Sequence, residues 1–186
     1  GGNISGTSDL APLDQQADML LELLPEAQNV GILYCSAEAN SVYQADVVKA
    51  ALEEKGVTVT VYTFADSNDV ATVTQTACAE NDALYIPTDN TAASCTEAIN
   101  NVAAPAGGPI VAGEEGICKG CGIATLSIDY YELGKTTGAM AAKILTGEAN
   151  VSEMPIEYYQ NPVKKYDVAR CEALGITVPA DYVAIG

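Results

Sequence analysis

Leu10, Leu13, Ala17, Leu20, Leu21 and Leu24 recur at the three- and four-residue spacing of a helix face, with Ser8 or Asp9 placed to cap it and Pro25 to stop it. The period then shortens. "VGILYC" (30–35) is a continuous apolar run of strand length, and Ser36 opens a helix that Gly56 ends near Lys55. "VTVTVYT" (57–63) alternates β-branched residues with a period of two, and Asp66 or Ser67 opens a third helix reaching about Glu80. "ALYI" (83–86), "PIVA" (109–112) and "GIATLSI" (122–128) are three more strands, with a helix over 90–103 between the first two. Residues 129–147 form a last long helix, with Leu133, Met140, Ile144 and Leu145 on one face and Gly147 at its end.

Strands alternating with helices predict an α/β fold. Right-handed crossovers lay each helix over a parallel sheet, giving a doubly wound, five-stranded sheet in the flavodoxin-like order 2-1-3-4-5. The ends follow no such rhythm. "GGNISGTS" (1–8) is a glycine-rich lead-in, and beyond Gly147 come "IEYYQNP" (156–162), a short helix over 165–174 and "GITVPADYVAIG". These pieces are too small for a second core and read as segments that cross to something absent.

Charge narrows the function. The 186 residues carry 25 acidic and 8 basic side chains, a formal net charge of −17, which repels phosphate backbones and excludes nucleic acid as a partner. Arg170 is the single arginine, so a dianionic substrate finds no bidentate clamp. Histidine is absent, and with it the commonest general base and metal ligand. The chain is read as no enzyme and as needing no cofactor. No run approaches the ~20 apolar residues that span a bilayer. The start on Gly1-Gly2 suggests a processed chain or a cut one.

Cys118 and Cys121 in "GICKGCG" form a C-x-x-C. Zinc needs two further ligands nearby, and a thioredoxin-like site needs the pair at a helix N-terminus. Neither context is present, which leaves a possible local disulfide or two idle thiols. Cys35 has no histidine to activate it. An acidic receiver-like domain is the other alternative, but it wants paired carboxylates after the first strand, where only Glu38 stands.

Ligands of an open parallel sheet sit beyond the carboxyl ends of its strands, where strand order reverses. The first strand ends in "CSAEANS" (35–41), the third in "PTDNT" (87–91), the fourth in "GEEG" (113–116) and the fifth in Asp129. Asn40, Ser41, Thr88, Asp89, Asn90, Glu114 and Asp129 are therefore the candidate ligand-binding residues. Most are also good helix caps, and Asp129 with Glu132 matches a capping box. One cap needs one side chain, and "TDNT" offers four in a row. At Asp129 capping and binding stay open.

"GILYCSAEANS", "YIPTDNTAAS" and "ATLSIDYYELGKTTGAMAAKIL" resemble, in order and spacing, the C-terminal lobe of the tryptophan/tyrosine ABC-transporter substrate-binding proteins. These are bacterial type I solute-binding proteins, often lipoproteins. The resemblance implies a lobe over residues 10–150, an inter-lobe crossover over 1–9, and return segments over 151–186 that pack on a missing N-terminal lobe. It implies an extracytoplasmic protein, periplasmic or anchored at the cell surface, whose partners are a small solute and an ABC permease. The solute would be zwitterionic, most of all an aromatic amino acid. Its ammonium would meet Asp89 or Asp129, and its carboxylate would meet helix N-termini.

Overall fold

The computed structural model of the protein describes residues 2–185. In chain order the elements are β1 (Thr7–Ser8), α1 (Leu13–Leu23), β2 (Asn29–Cys35), α2 (Ala39–Glu54), β3 (Thr58–Phe64), α3 (Val70–Glu80) and β4 (Ala83–Ile86). Then come α4 (Asn90–Ser94), α5 (Thr96–Ala106), β5 (Ile110–Ala112), α6 (Glu115–Cys121), β6 (Ala124–Ser127) and α7 (Tyr130–Leu145). A single 3₁₀ turn at Val151–Glu153 leads to β7 (Glu157–Tyr158), β8 (Val163–Tyr166), α8 (Val168–Ala173) and β9 (Val183–Ala184).

Contacts group the chain into two compact units. The larger holds Pro12–Ser127 and the chain from Val163 onward; the smaller holds the residues up to Ala11 and Ile128–Pro162.

The larger unit is built on one sheet of order β3-β2-β4-β5-β6-β8-β9. Its first five strands are parallel and in the expected order. The sheet is two strands longer than the pattern predicts, because β8 joins β6 antiparallel and β9 follows β8. β2 is buried on both faces from Val30 to Cys35, as an inner strand covered by helices on each side must be. Leu33, Phe64, Ile86, Ile99, Ile110 and Ile117 belong to one core cluster on one side of the sheet. Gly56, at φ 87°, turns the chain after α2 as expected.

Three elements differ from expectation. α1 starts at Leu13, not after Ser8 or Asp9, and its N-cap is Pro12. A residue preceding proline is pushed away from helical angles, so the helix cannot begin earlier. The helix expected over 90–103 is two helices that break at Cys95. The glycine-rich stretch after β5 is a helix, α6, which buries Ile117, Cys118 and Cys121. Arg170 closes it by donating to the carbonyls of Lys119 (3.2 Å) and Gly120 (2.7 Å).

β3 is the outer strand of the sheet. Its even-numbered residues bond to β2, as Thr58 N–H does to Gln28 O (2.8 Å) and Phe64 O does to Ser36 N–H (3.0 Å). Its odd-numbered peptides point outward, and Lys49 of α2 covers one of them, donating from Nζ to Val59 O at 3.3 Å.

The smaller unit pairs β1 with β7 in parallel, Thr7 opposite Glu157. Ala11, Ile128 and Leu133 form its buried cluster, with Tyr159 against them. α7 buries Leu133 and Met140 but leaves Ile144 36% exposed and Leu145 86% exposed. So the face expected to be apolar and covered is only half covered.

Candidate functional site

Within the larger unit, the carboxyl ends of β2, β4 and β5 bring Asn40, Ser41, Thr88, Asp89 and Asn90 together. β4 stops at Pro87, which has no N–H for a ladder, and the chain then turns into α4. The backbone peptides freed there are taken up by side chains of α2 and of the loop before it.

Asp89 is the hub. It is 1% exposed and accepts from Cys35 N–H (2.9 Å), the Ser41 hydroxyl (2.7 Å) and Ala92 N–H (2.7 Å). A buried carboxylate left without such donors would be costly. With them, it locks β2, α2 and α4 to one point. Ser41 is fully buried and serves the same lock. Asn40 Nδ2 donates to Thr88 O at 2.9 Å. The Thr88 hydroxyl donates to Gly113 O over a long 3.3 Å. Asn90 gives both its N–H (2.9 Å) and its side-chain Nδ2 (3.0 Å) to Glu38.

Two residues were missed by sequence reasoning. Gln44, 5% exposed, takes the Thr88 N–H on Oε1 (3.1 Å) and gives Nε2 to Thr88 O (3.1 Å) and Asn40 O (3.2 Å). Its place one turn beyond Asn40 on the same helix was the available signal. Glu38 accepts four bonds, two from Asn90 and two from Thr91. Burial pushes its pKa upward, but the Thr91 hydroxyl, the Asn90 and Thr91 N–H groups and the Asn90 amide together bring it down to about 2.

Gly113 fits the rim closely. A Cβ there would stand 2.5 Å from Thr88 N and 2.7 Å from Pro87 C. Its carbonyl also accepts from Gln16 Nε2 (3.0 Å), whose Oε1 takes the Tyr85 hydroxyl (2.5 Å) in a fully buried relay under the rim.

Carboxylates occupy the helix starts. Glu114 caps α6 through Gly116 N–H (2.7 Å) and Ile117 N–H. Asp89 and Glu38 between them hold the Asn90, Thr91 and Ala92 N–H groups of α4. In the smaller unit Asp129 caps α7 through Tyr131 N–H (2.9 Å) and Glu132 N–H (3.1 Å). An anionic ligand group is thus not received at α4 or α6. Neutral amide and hydroxyl groups of Asn40, Thr88 and Asn90 are what this rim presents.

All six cysteines are free thiols. Cys118 and Cys121 lie at the middle and the end of α6, not at its start. Burial pushes the Cys121 thiol up to about 12 and raises Cys118 as well, the reverse of what a redox pair needs. Among the described residues no group of three His, Cys, Asp or Glu side chains is placed to hold a metal ion.

Residues 1–184 match the family described as ABC transporter substrate binding protein. The chain belongs to that family. A tyrosine-binding protein of Clostridioides difficile (strain R20291) is 32% identical over 156 residues, which is 84% of this chain and 45% of that one. The structure of an ABC domain in complex with L-Trp, from Streptococcus pneumonia, is 30% identical with a TM-score of 0.88, covering 97% of this chain and 61% of that one. A conserved domain protein of Vibrio cholerae is 29% identical with a TM-score of 0.90, covering 99% and 63%. These relatives are substrate-binding proteins of the ABC family or share its fold, and the family is not one of enzymes. The chain spans about half the length of the curated relative and under two thirds of the solved structures.

Proposed function

We propose that the chain is the C-terminal part of an extracytoplasmic solute-binding protein that serves an ABC importer. Its solute is a small zwitterion, most of all an aromatic amino acid. The observation that carries this reading is the likeness, over 97% of the chain, to a structure that holds L-Trp. The tyrosine-binding relative points the same way.

The rim supports a polar solute. Asn40, Thr88 and Asn90 are its direct contacts, while Ser41 and Asp89 hold the backbone that presents them and Glu114 caps α6. Asp129 is kept as a ligand contact on the strength of the resemblance alone. A permease and a second lobe complete the assembly. The uncovered face of α7, with Tyr131 and Leu145, belongs to the part of the chain that meets that lobe. No described helix is long and apolar enough to cross a membrane, so anchoring at the cell surface would come from outside these helices.

Calorimetry with L-tryptophan, L-tyrosine and D-allose, on a protein carrying this chain and the remaining length of its relatives, tests the reading. Heat from an aromatic amino acid alone is expected. Binding of the sugar with silence toward both amino acids would sink it.

A further inference from the structure

We infer that Gln44 is the positioning residue of the rim: its side-chain amide fixes the Thr88 peptide, and with it the direction in which the Thr88 hydroxyl and the Asn40 amide meet the solute. This rests on the reading above that the solute binds at the rim.

The inference starts from Pro87. Beyond it Thr88 leaves the sheet, so its backbone N–H and C=O, one in each flanking peptide, lose the ladder partners that a longer strand would supply. A primary amide carries one acceptor and one donor group with the same geometry as a peptide, and Gln44 uses both on Thr88, each at 3.1 Å. The same Nε2 also reaches Asn40 O at 3.2 Å, so one side chain sets the two residues relative to each other. From the other side the peptide is closed in by Gly113, where even a methyl group would collide with Thr88 N at 2.5 Å. The Thr88 peptide is therefore clamped between a side-chain amide and a glycine.

The Thr88 hydroxyl is held only weakly, by the 3.3 Å bond to Gly113 O. Where it points is decided by the backbone, which Gln44 holds at both its N–H and its C=O, with the Asn40 amide on the same carbonyl. Glutamate at 44 would keep the acceptor and lose the donors. Methionine would keep the shape and lose both.

Hydrogen exchange followed by NMR on a protein carrying this chain and the remaining length of its relatives, with titration of L-tryptophan and L-tyrosine, tests this. In Gln44→Met the Thr88 amide is expected to exchange roughly tenfold faster, the scale of one lost hydrogen bond, and amino-acid affinity to fall by a similar factor. Gln44→Glu should keep the Thr88 amide slow and still weaken binding. Val48→Ala, which opens a cavity one turn further along the same helix, should lower the melting temperature and leave affinity within about twofold. Unchanged Thr88 exchange in Gln44→Met overturns the inference, as does unchanged affinity beside a faster Thr88. If the unsubstituted longer protein binds neither amino acid while Gln44→Met loosens Thr88, the hold of Gln44 on Thr88 stands and the amino-acid reading fails.

Discussion

Asp89 and Asp129 stand at the same place in the sequence pattern, each following a strand and opening a helix, yet they act on different scales. Asp89 is buried and takes donors from three segments: the end of β2, the first turn of α2 and the first turn of α4. Asp129 is exposed and accepts on Oδ1 from two N–H groups in the first turn of its own helix. Residue type is equal between them. What differs is how many otherwise stranded polar groups depend on each carboxylate, and whether water could replace it.

The largest effect that could break this comparison is at Asp89 itself. Asp89→Ala strands two buried N–H groups and a hydroxyl, and a loss of about 3–5 kcal/mol in urea unfolding is expected. A loss below about 1 kcal/mol would place Asp89 on the scale of an ordinary cap. Next comes Gly113→Ala. Its Cβ would collide with backbone atoms that cannot rotate away, so a cost of about 2–3 kcal/mol and a displaced Thr88 amide resonance are expected. Stability at wild-type level would show that the rim gives freely there.

Glu38 lies between the two aspartates in burial, and pH can probe it. Its pKa is lower in the folded state than in the unfolded chain, so its contribution is present above about pH 4.5 and lost as pH falls toward 2. Discounted for solvent screening, that contribution is about 1–2 kcal/mol. Glu38→Gln should flatten the acid limb of the stability profile by that amount, and an unchanged limb would remove Glu38 from the lock. The smallest effect is at Asp129. Asp129→Asn, which leaves a capping side chain in place, should cost at most about 0.5 kcal/mol in melting experiments. A large fall in amino-acid affinity beside that small cost would mark Asp129 as a ligand contact; unchanged affinity would leave it a cap.

The five parallel strands and their order were legible because a strand buried on both faces leaves an unmistakable apolar run, as in Val30–Cys35. The tail strands were not. "VKKY" (163–166) pairs with β6 through its backbone while Lys164 and Lys165 reach acidic partners, so no apolar alternation announces it. α6 hid behind Gly113, Gly116 and Gly120, because a helix that short is set by its Glu114 cap and by burial of Ile117, which are tertiary facts. At the site, composition drew attention to Asn40, Ser41 and the Thr88–Asn90 run, and these do meet in space. Their division of labour was invisible. Whether a carboxylate reaches outward or spends its lone pairs on the backbone depends on which N–H groups the fold strands beside it.

The lysine that reaches across to the outer strand has a bearing on how that edge meets other chains. β3 presents seven residues, Thr58–Phe64, without a charge, a proline or a glycine, on an open sheet edge. Such a segment is a template for cross-β stacking. Lys49 lies across it and places an ammonium at one outward carbonyl, where a neighbouring chain would otherwise dock. It is a gatekeeper, tethered in turn by Glu53 one helical turn away. Acetylation of that one amine would leave the core, the rim and the lock at Asp89 as they are, and would remove the charge that guards this edge.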